Sequence, residues 1–360
     1  MTKKITNLPI TIKSWNMLLP EIQDIPFGQR SKYYDLYGKA IEVLDQIDFN
    51  QTSLENKNFV EDLGDLYDKM GAYSDNVLAD YRKALKYFNY SLTLNVTLHD
   101  ENHPSVATSL SNAAVEYSRL GHNHEALQYK LKAVEIMQNI YGNDHFNVAS
   151  YLSSVGVECT KLGYNDNSLE WHFAALKIMQ SPNTKSCDFD FKTNSINIAR
   201  CLSNISVGYS KLKDYKNAMD YCLQAMEKFN LIHKKEHSDI AKSFSNLGFI
   251  HAKLGNHEEA LKCRIESLET FKKLYPDNDH PNLASAFSSV ARQYKKTGDN
   301  KRALDCYQKS FNIYSDLTNS DNFSNEMSKI DSHIQDLNNE NSLFEQKTSG
   351  DNIENTDYIV

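Results

Sequence analysis

The sequence of 360 residues lacks the features that would assign it to several common classes of protein. No apolar run approaches the roughly 18 to 20 residues that span a bilayer. The first twenty residues do not resemble a signal peptide, because Pro9, Lys13 and Asn16 interrupt their apolar positions. The six cysteines form no Cys-x-x-Cys motif and no pattern typical of a disulfide framework. These absences predict a cytoplasmic protein in a reducing environment, without insertion into a membrane.

The sequence also lacks an excess of basic residues. Its formal net charge is −8, and the segment from Ser320 to Val360 carries nine acidic residues and two lysines. The rest of the chain is therefore close to neutral, whereas a nucleic-acid-binding surface needs a marked basic excess. We expect no nucleic-acid partner.

Motifs for catalysis or metal binding are missing as well. The sequence has no phosphate-binding loop, no nucleophile elbow and no zincin motif. Four histidines, His103, His145, His237 and His280, recur at equivalent positions. They are expected about 10 Å apart, whereas zinc ligands lie about 2 Å from one ion. The sequence predicts helix caps at these positions, with no enzyme activity, no cofactor and no metal.

What the sequence does contain is an internal repeat. A leucine-glycine type of pair recurs at steps of 42, 50, 42 and 43 residues, at Leu120-Gly121, Leu162-Gly163, Leu212-Lys213, Leu254-Gly255 and Thr297-Gly298. Five residues after each glycine-type position stands a small residue: Ala126, Ser168, Ala218, Ala260 and Ala303. A fixed period of this size indicates a solenoid of repeated units, which presents a binding surface more often than an active site.

One repeat can be interpreted as two helices. Pro104 suits the first position of helix A, and Gly121 suits the left-handed conformation that follows its last turn. Asn123 can cap helix B. Small residues at Ala114 and Ala126 let the two helices approach within about 8–10 Å. The repeat therefore predicts an antiparallel helix pair.

These residues resemble the tetratricopeptide repeat, through Leu110, Ala113-Ala114, Tyr117, Gly121, Ala126 and Ala133. The 42-residue period and the histidine-proline type of boundary resemble the subtype found in kinesin light chain and nephrocystin-3. The resemblance implies an all-α, right-handed superhelical solenoid of antiparallel helix pairs, with helix A lining a concave groove. Residues 1–50 show no sustained heptads, so the chain shares this module and not the coiled-coil role of a kinesin light chain.

The pattern divides the chain into four parts. Residues 1–52 contain one helix, and residues 53–319 form an array of about six helix pairs. The first pair is degenerate: Met70-Gly71 is its predicted turn, followed by eight extra residues before helix B. Residues 320–347 are a capping helix, and residues 348–360 are an acidic disordered tail.

Polar residues recur at three positions of helix A. The first position carries Ser111, Ser153, Ser203 and Ser245; the second carries Asn112, Asn204 and Asn246; the third, near the helix end, carries Arg119, Lys161, Lys211, Lys253 and Lys296. The resemblance implies that such positions bind peptide backbones and acidic side chains. Helix packing explains the small polar residues equally well, and a cation in the last turn is favoured by about 0.3–1 kcal/mol through the helix dipole.

The sequence therefore predicts a scaffold that binds a short, extended, acidic peptide segment in its groove. Asn112, Asn204 and Asn246 would bind the peptide backbone, and Lys161, Lys211 and Lys253 its carboxylates. Two alternatives stay open: an assembly or regulatory subunit that associates through its convex face or ends, and a partner of a catalytic subunit that senses a small ligand. We also hypothesise that Asp351 to Val360 folds back and competes for the groove.

Overall fold

The computed structural model describes residues 34–44, 57–181, 191–232, 237–276, 280–317 and 323–350, together with residues 12, 13, 15 and 19. All regular structure in these residues is helical, and the predicted all-α solenoid of antiparallel helix pairs is confirmed. The tail from Asp351 to Val360 lies outside the described residues, as do residues 182–190, which fall within the 50-residue step of the repeat.

The chain forms two compact units, Met1–Lys234 and Lys235–Val360. The first unit contains α1 (Tyr34–Leu44), α2 (Lys57–Asn76), α3 (Tyr81–Leu98), α4 (Pro104–Arg119), α5 (Asn123–Tyr141), α6 (Phe146–Leu162), α7 (Asn165–Gln180), α8 (Phe191–Lys211) and α9 (Tyr215–Ile232). From α2 to α9 each helix packs against the next one in the chain, which gives four helix pairs in series. Helix α1 packs on the first pair, where Tyr37 stacks on Tyr73 with ring centroids 4.4 Å apart.

The second unit contains α10 (Ser238–Lys253), α11 (His257–Leu274), α12 (Pro281–Lys296), α13 (Asn300–Asp316) and α14 (Ser324–Gly350). Helices α10 to α13 form two consecutive pairs, and α14 packs on α13. Ile330 and Leu337 of α14 are buried, so this long helix covers the apolar face of the last pair.

The turns between paired helices have the conformation that the repeat pattern predicts. Gly121, Gly163, Gly255 and Gly298 all have φ between 82° and 87°. Lys213 takes the same left-handed conformation with φ 64°, although a side chain makes it unfavourable. The turn therefore keeps the same backbone geometry in the one clear repeat that has no glycine at this position.

The repeated histidines cap helices, as predicted. In His103, His145, His237 and His280 the ring Nδ1 accepts a hydrogen bond from the backbone N–H two residues later, over 3.0–3.2 Å. Each ring therefore satisfies one backbone donor at the start of a helix A. The described residues hold no group of three or more potential ligands suited to a metal ion.

The prediction for the first repeat needs correction. Helix α2 continues to Asn76, so Gly71 lies inside the helix and not in a turn. A Cβ atom at position 71 would lie 2.6 Å from the ring of Phe88, which explains why a glycine stands there. Ala79, with φ 50°, takes the left-handed conformation in the turn. Most of the extra residues therefore lengthen helix A, because the local apolar pattern continues past Gly71.

Two observations concern the environment of the chain. No helix in the described residues is long and apolar enough to cross a membrane.

Five cysteines lie in this part of the chain, and all of them are free thiols: Cys159, Cys201, Cys222, Cys263 and Cys306. Burial is the main cause that raises the pKa of Cys201, to about 12, so its thiol is unreactive at neutral pH.

Candidate functional site: a basic cavity in the second unit

A cavity of about 350 Å³ in the second unit collects several polar positions that the repeat pattern predicts. Residues of α10, α11 and α12 line it: Ser245, Asn246, Phe249, Ala252, Lys253, Arg264, Ser289, Arg292 and Lys296. Four of these side chains are cationic and none is acidic. We call this site the basic cavity.

The two helix A elements place their cations by simple helical spacing. Asn246, Phe249 and Lys253 of α10 follow each other at intervals of three and four residues, so they share one face. Arg292 and Lys296 of α12 are four residues apart and are likewise neighbours on one face. Both faces line the same cavity because α10 and α12 belong to successive repeats.

Arg264 enters the cavity from helix B. Its side chain crosses the position of Gly248, where a Cβ atom would lie 2.8 Å from Arg264 Cγ. The absence of a side chain at Gly248 therefore makes room for the arginine stem. Arg264 is only 8% exposed, and its guanidinium donates a hydrogen bond to the carbonyl oxygen of Ser289 over 2.7 Å. Its Nε is buried without a hydrogen-bond partner among the described residues.

The electrostatics of the cavity favour an anion. Burial, and then the charge of Arg292, lower the pKa of Arg264 to about 10. The guanidinium still carries its proton at neutral pH, but it is held beside a like charge in a poorly solvated place. An anion in the cavity would relieve both effects, since opposite charges attract more strongly where water is excluded. Lys253 also lies over the ring of Phe249, with Nζ 5.5 Å from the centroid.

Two other cations of the predicted series are held by carboxylates of their own unit. Arg119 lies 3.2 Å from Asp75 and 3.9 Å from Glu116, and its guanidinium stands 5.0 Å from the ring centroid of Tyr81. Arg119 is therefore occupied within the protein and is not a free cation facing a groove.

Lys161 is itself 43% exposed and lies at the edge of a buried group of charged residues. Its Nζ lies 3.8 Å from Glu158 and donates a hydrogen bond to Ser118. Glu158 also accepts a hydrogen bond from Lys130 over 2.6 Å and another from Ser118 over 2.8 Å. Burial is the main cause that lowers the pKa of Lys161. Glu158 therefore competes with a peptide carboxylate for Lys161.

The remaining predicted residues are scattered over the first unit. Ser153 is buried and shares a hydrogen bond of 3.1 Å with His172 Nδ1, so it contributes to packing. Asn112 lines a different cavity, which is acidic. Lys211 is exposed in the last turn of α8, and three others are half-buried on helices α4 and α8: Ser111, Ser203 and Asn204. Only Ser245, Asn246, Lys253 and Lys296 come together in the basic cavity.

Sequence reasoning missed Arg264 and Arg292, two of the four cations. Arg264 stands nine residues after Gly255, at a helix B position that is buried in every clear repeat and holds Lys130, His172, Cys222 and Tyr307 elsewhere. A charged residue at a buried position of the repeat was the available signal. Arg292 precedes Lys296 by one helical turn. The equivalent positions of the other clear repeats hold no basic residue, so the repeat pattern does not indicate it.

Comparison with protein families supports the identification of the repeat. Two models described as tetratricopeptide repeat match the chain, one over residues 72–136 and 239–316 and the other over residues 198–239. Together these matches cover about half of the chain. No curated protein matches the sequence.

Solved structures are similar to this chain at low sequence identity. A Rap protein crystallised with Competence and Sporulation Factor is 14% identical, with a TM-score of 0.53, and the match covers 92% of this chain and 99% of that one. BtubC (BKLC) from P. vanneervenii is 16% identical with a TM-score of 0.48, and the match covers 70% of this chain and 92% of that one. The pattern of helices, turns and family matches shows that the chain belongs to the tetratricopeptide repeat family.

Proposed function

We propose that this protein is an interaction scaffold whose basic cavity binds a short acidic segment of a partner protein. Tetratricopeptide repeats are modules of protein interaction, and the cavity gives that general role a specific chemistry. In this proposal Lys253, Arg292 and Lys296 bind carboxylates, and Asn246 binds the peptide backbone. The protein acts without catalysis and in the cytoplasm.

The observation that carries the proposal is the set of four cations around one cavity, whose lining among the described residues includes no acidic side chain. Arg264 supports it, because a buried guanidinium beside Arg292 is stabilised by an anion. A carboxylate can accept hydrogen bonds from both ends of an arginine fork, and such charge-assisted bonds are about twice as strong as neutral ones. An acidic peptide is therefore better suited to this cavity than a neutral one.

The test is a charge reversal at the rim of the cavity. We would measure the affinity of a fluorescein-labelled, amidated hexaglutamate peptide by fluorescence anisotropy, for the wild type and for the double variant Lys253→Glu/Lys296→Glu. Both lysines are exposed, so the variant should keep its helicity by circular dichroism. We expect affinity to fall at least about tenfold, which corresponds to about 1.4 kcal/mol. Wild-type binding should also weaken as salt rises, because salt screens exposed charges.

A matched control separates the cavity from the general charge of the unit. Lys262 and Lys301 are exposed lysines on helices α11 and α13 and are not among the lining residues, so Lys262→Glu/Lys301→Glu makes the same change in net charge. This control should change the affinity less than about twofold. Equal losses in the two double variants would show nonspecific attraction and would refute the peptide site.

A further inference from the structure

A second cavity, in the first unit, has the opposite charge. It has a volume of about 510 Å³ and lies among α2, α3 and α4. Its charged lining residues are Asp65, Asp68, Lys69, Asp75 and Glu116. We call this site the acidic cavity. It shares no residue with the basic cavity.

The acidic residues come mainly from one face of α2. Asp65, Asp68 and Asp75 are separated by three and seven residues, which places them on the same side of a helix. Glu116 is added by α4, the helix A of the next repeat. Two cations lie among these carboxylates: Lys69 donates a hydrogen bond to the carbonyl oxygen of Leu19 over 3.3 Å, and Arg119 contacts Asp75 and Glu116. Even with Glu116 counted as neutral, three carboxylates face these two cations among the described residues, so this part of the site is net negative.

Glu116 contributes a buried oxygen without a hydrogen-bond partner among the described residues to this cavity. Its side chain is 1% exposed, and Oε1 lies 3.9 Å from the Nε of Arg119. The other carboxylate oxygen, Oε2, is buried without a hydrogen-bond partner among the described residues. Burial, and then the neighbouring charge of Asp75, raise the pKa of Glu116 to about 8. A buried acceptor without a donor destabilises a protein, and a bound donor would remove that cost.

From this geometry we infer that the acidic cavity binds an arginine side chain of a partner polypeptide. A guanidinium carries five N–H donors in a planar fork, so it can bond the free Oε2 of Glu116 and a second carboxylate together. Arg119 shows a related arrangement inside the protein, since its guanidinium bonds Asp75 over 3.2 Å and lies 3.9 Å from Glu116. A metal ion is a poorer candidate, because the described residues contain no group of three or more ligands suited to one.

The environment of the cavity suits a side chain that is both cationic and flat. Phe88 and Val115 contribute apolar surface to the lining, against which an arginine stem can pack while its head meets the carboxylates. Asn112, one of the predicted backbone-binding residues, also lines this cavity and can hold the chain that carries the arginine. This inference does not depend on the basic cavity, since it uses different residues and a ligand of opposite charge.

The experiment uses the full chain and a short probe. We would titrate the acetylated, amidated tetrapeptide Gly-Arg-Arg-Gly into the wild type and into the double variant Asp65→Asn/Glu116→Gln, and measure affinity by isothermal titration calorimetry. The same peptide with citrulline in place of each arginine keeps the shape of the side chain and removes its charge. We expect the arginine peptide to bind the wild type and to lose at least about tenfold in affinity in the variant. The citrulline peptide should not bind.

The matched control is Glu135→Gln/Glu170→Gln, which removes two charges from exposed positions of α5 and α7 in the same unit. It should change the affinity less than about twofold. Because Glu116 is buried, the single variant at the exposed Asp65 provides a second reading that does not disturb the interior. No binding at millimolar peptide, equal losses in both double variants, or equal binding of the citrulline peptide would each overturn the inference.

Discussion

The buried ion pair between Lys130 and Glu158 allows a quantitative test of how adjacent repeats are held together. Lys130 is 4% exposed and Glu158 is fully buried, and their charged atoms are 2.6 Å apart. The two residues come from helices α5 and α6, which belong to successive repeats. The perturbation is Lys130→Met, which keeps the length of the side chain and removes its charge.

The expected loss follows from what remains around Glu158. Removing one partner of a buried pair destabilises a protein by about 3–5 kcal/mol, because the other charge is left buried and uncompensated. Ser118 still donates a hydrogen bond to Glu158 over 2.8 Å, and Lys161 Nζ lies 3.8 Å from the carboxylate. We therefore expect a loss at the lower end of the range, about 3 kcal/mol. Adding Glu158→Gln should recover part of it, since no charge is then buried.

The assay is urea unfolding followed by circular dichroism, with the free energy of unfolding extrapolated to water. Lys132→Met is the matched control on the same helix: Lys132 is 55% exposed and lies 3.9 Å from an exposed Glu101. An exposed pair contributes about 0–1 kcal/mol, so the control should remain close to the wild type. A loss below about 1 kcal/mol in Lys130→Met, or similar losses in the two variants, would refute the reasoning.

Two further predictions concern a turn and a buried histidine. Lys213→Gly should raise the free energy of unfolding by up to about 1 kcal/mol in urea titrations, because glycine adopts φ 64° without strain; a loss of stability would contradict it. Burial lowers the pKa of His172 to about 4, from an ordinary 6.5, so the folded state favours the neutral ring. The neutral ring of His172 contributes fully to the free energy of unfolding above pH 6.5. As pH falls from 6.5 to 4 this contribution is lost, and the free energy of unfolding decreases by up to about 3 kcal/mol. Unfolding at pH 7 and pH 4 should therefore show a larger acid loss in the wild type than in His172→Gln.

Local features of the fold could be predicted from the sequence because each depends on a few neighbouring residues. A glycine after a helix predicts a left-handed turn, and Gly121 and its equivalents have that conformation. A histidine before a helix predicts a cap, and His280 accepts the hydrogen bond of Asn282. The prediction for the first repeat was wrong in one respect. The local pattern indicates a turn at Gly71, whereas Gly71 lies inside a helix and faces the ring of Phe88.

The candidate sites were less predictable, because the charge of a surface depends on residues far apart in the chain. The series of helix A cations in the sequence gives no indication that Arg119 contacts Asp75, which lies 44 residues earlier. It also gives no indication that Arg264 and Arg292, from different helices, line a cavity with Lys253 and Lys296. The predicted binding of acidic peptides by Lys161 and Lys211 stays a prediction.

The sequence by itself determined the repeat, its helix pairs and its turns. These depend on interactions within one turn of helix or between neighbours in the chain, and the 42-residue period repeats them. Only the tertiary structure decided which polar side chains are satisfied inside the protein and which remain for a ligand. The packing of successive helices pairs Arg119 with Asp75 and leaves four cations around one cavity. It also buries the Oε2 of Glu116 without a hydrogen-bond partner among the described residues. Long-range Coulomb attraction and desolvation govern these outcomes, and both depend on distances that only the folded chain defines.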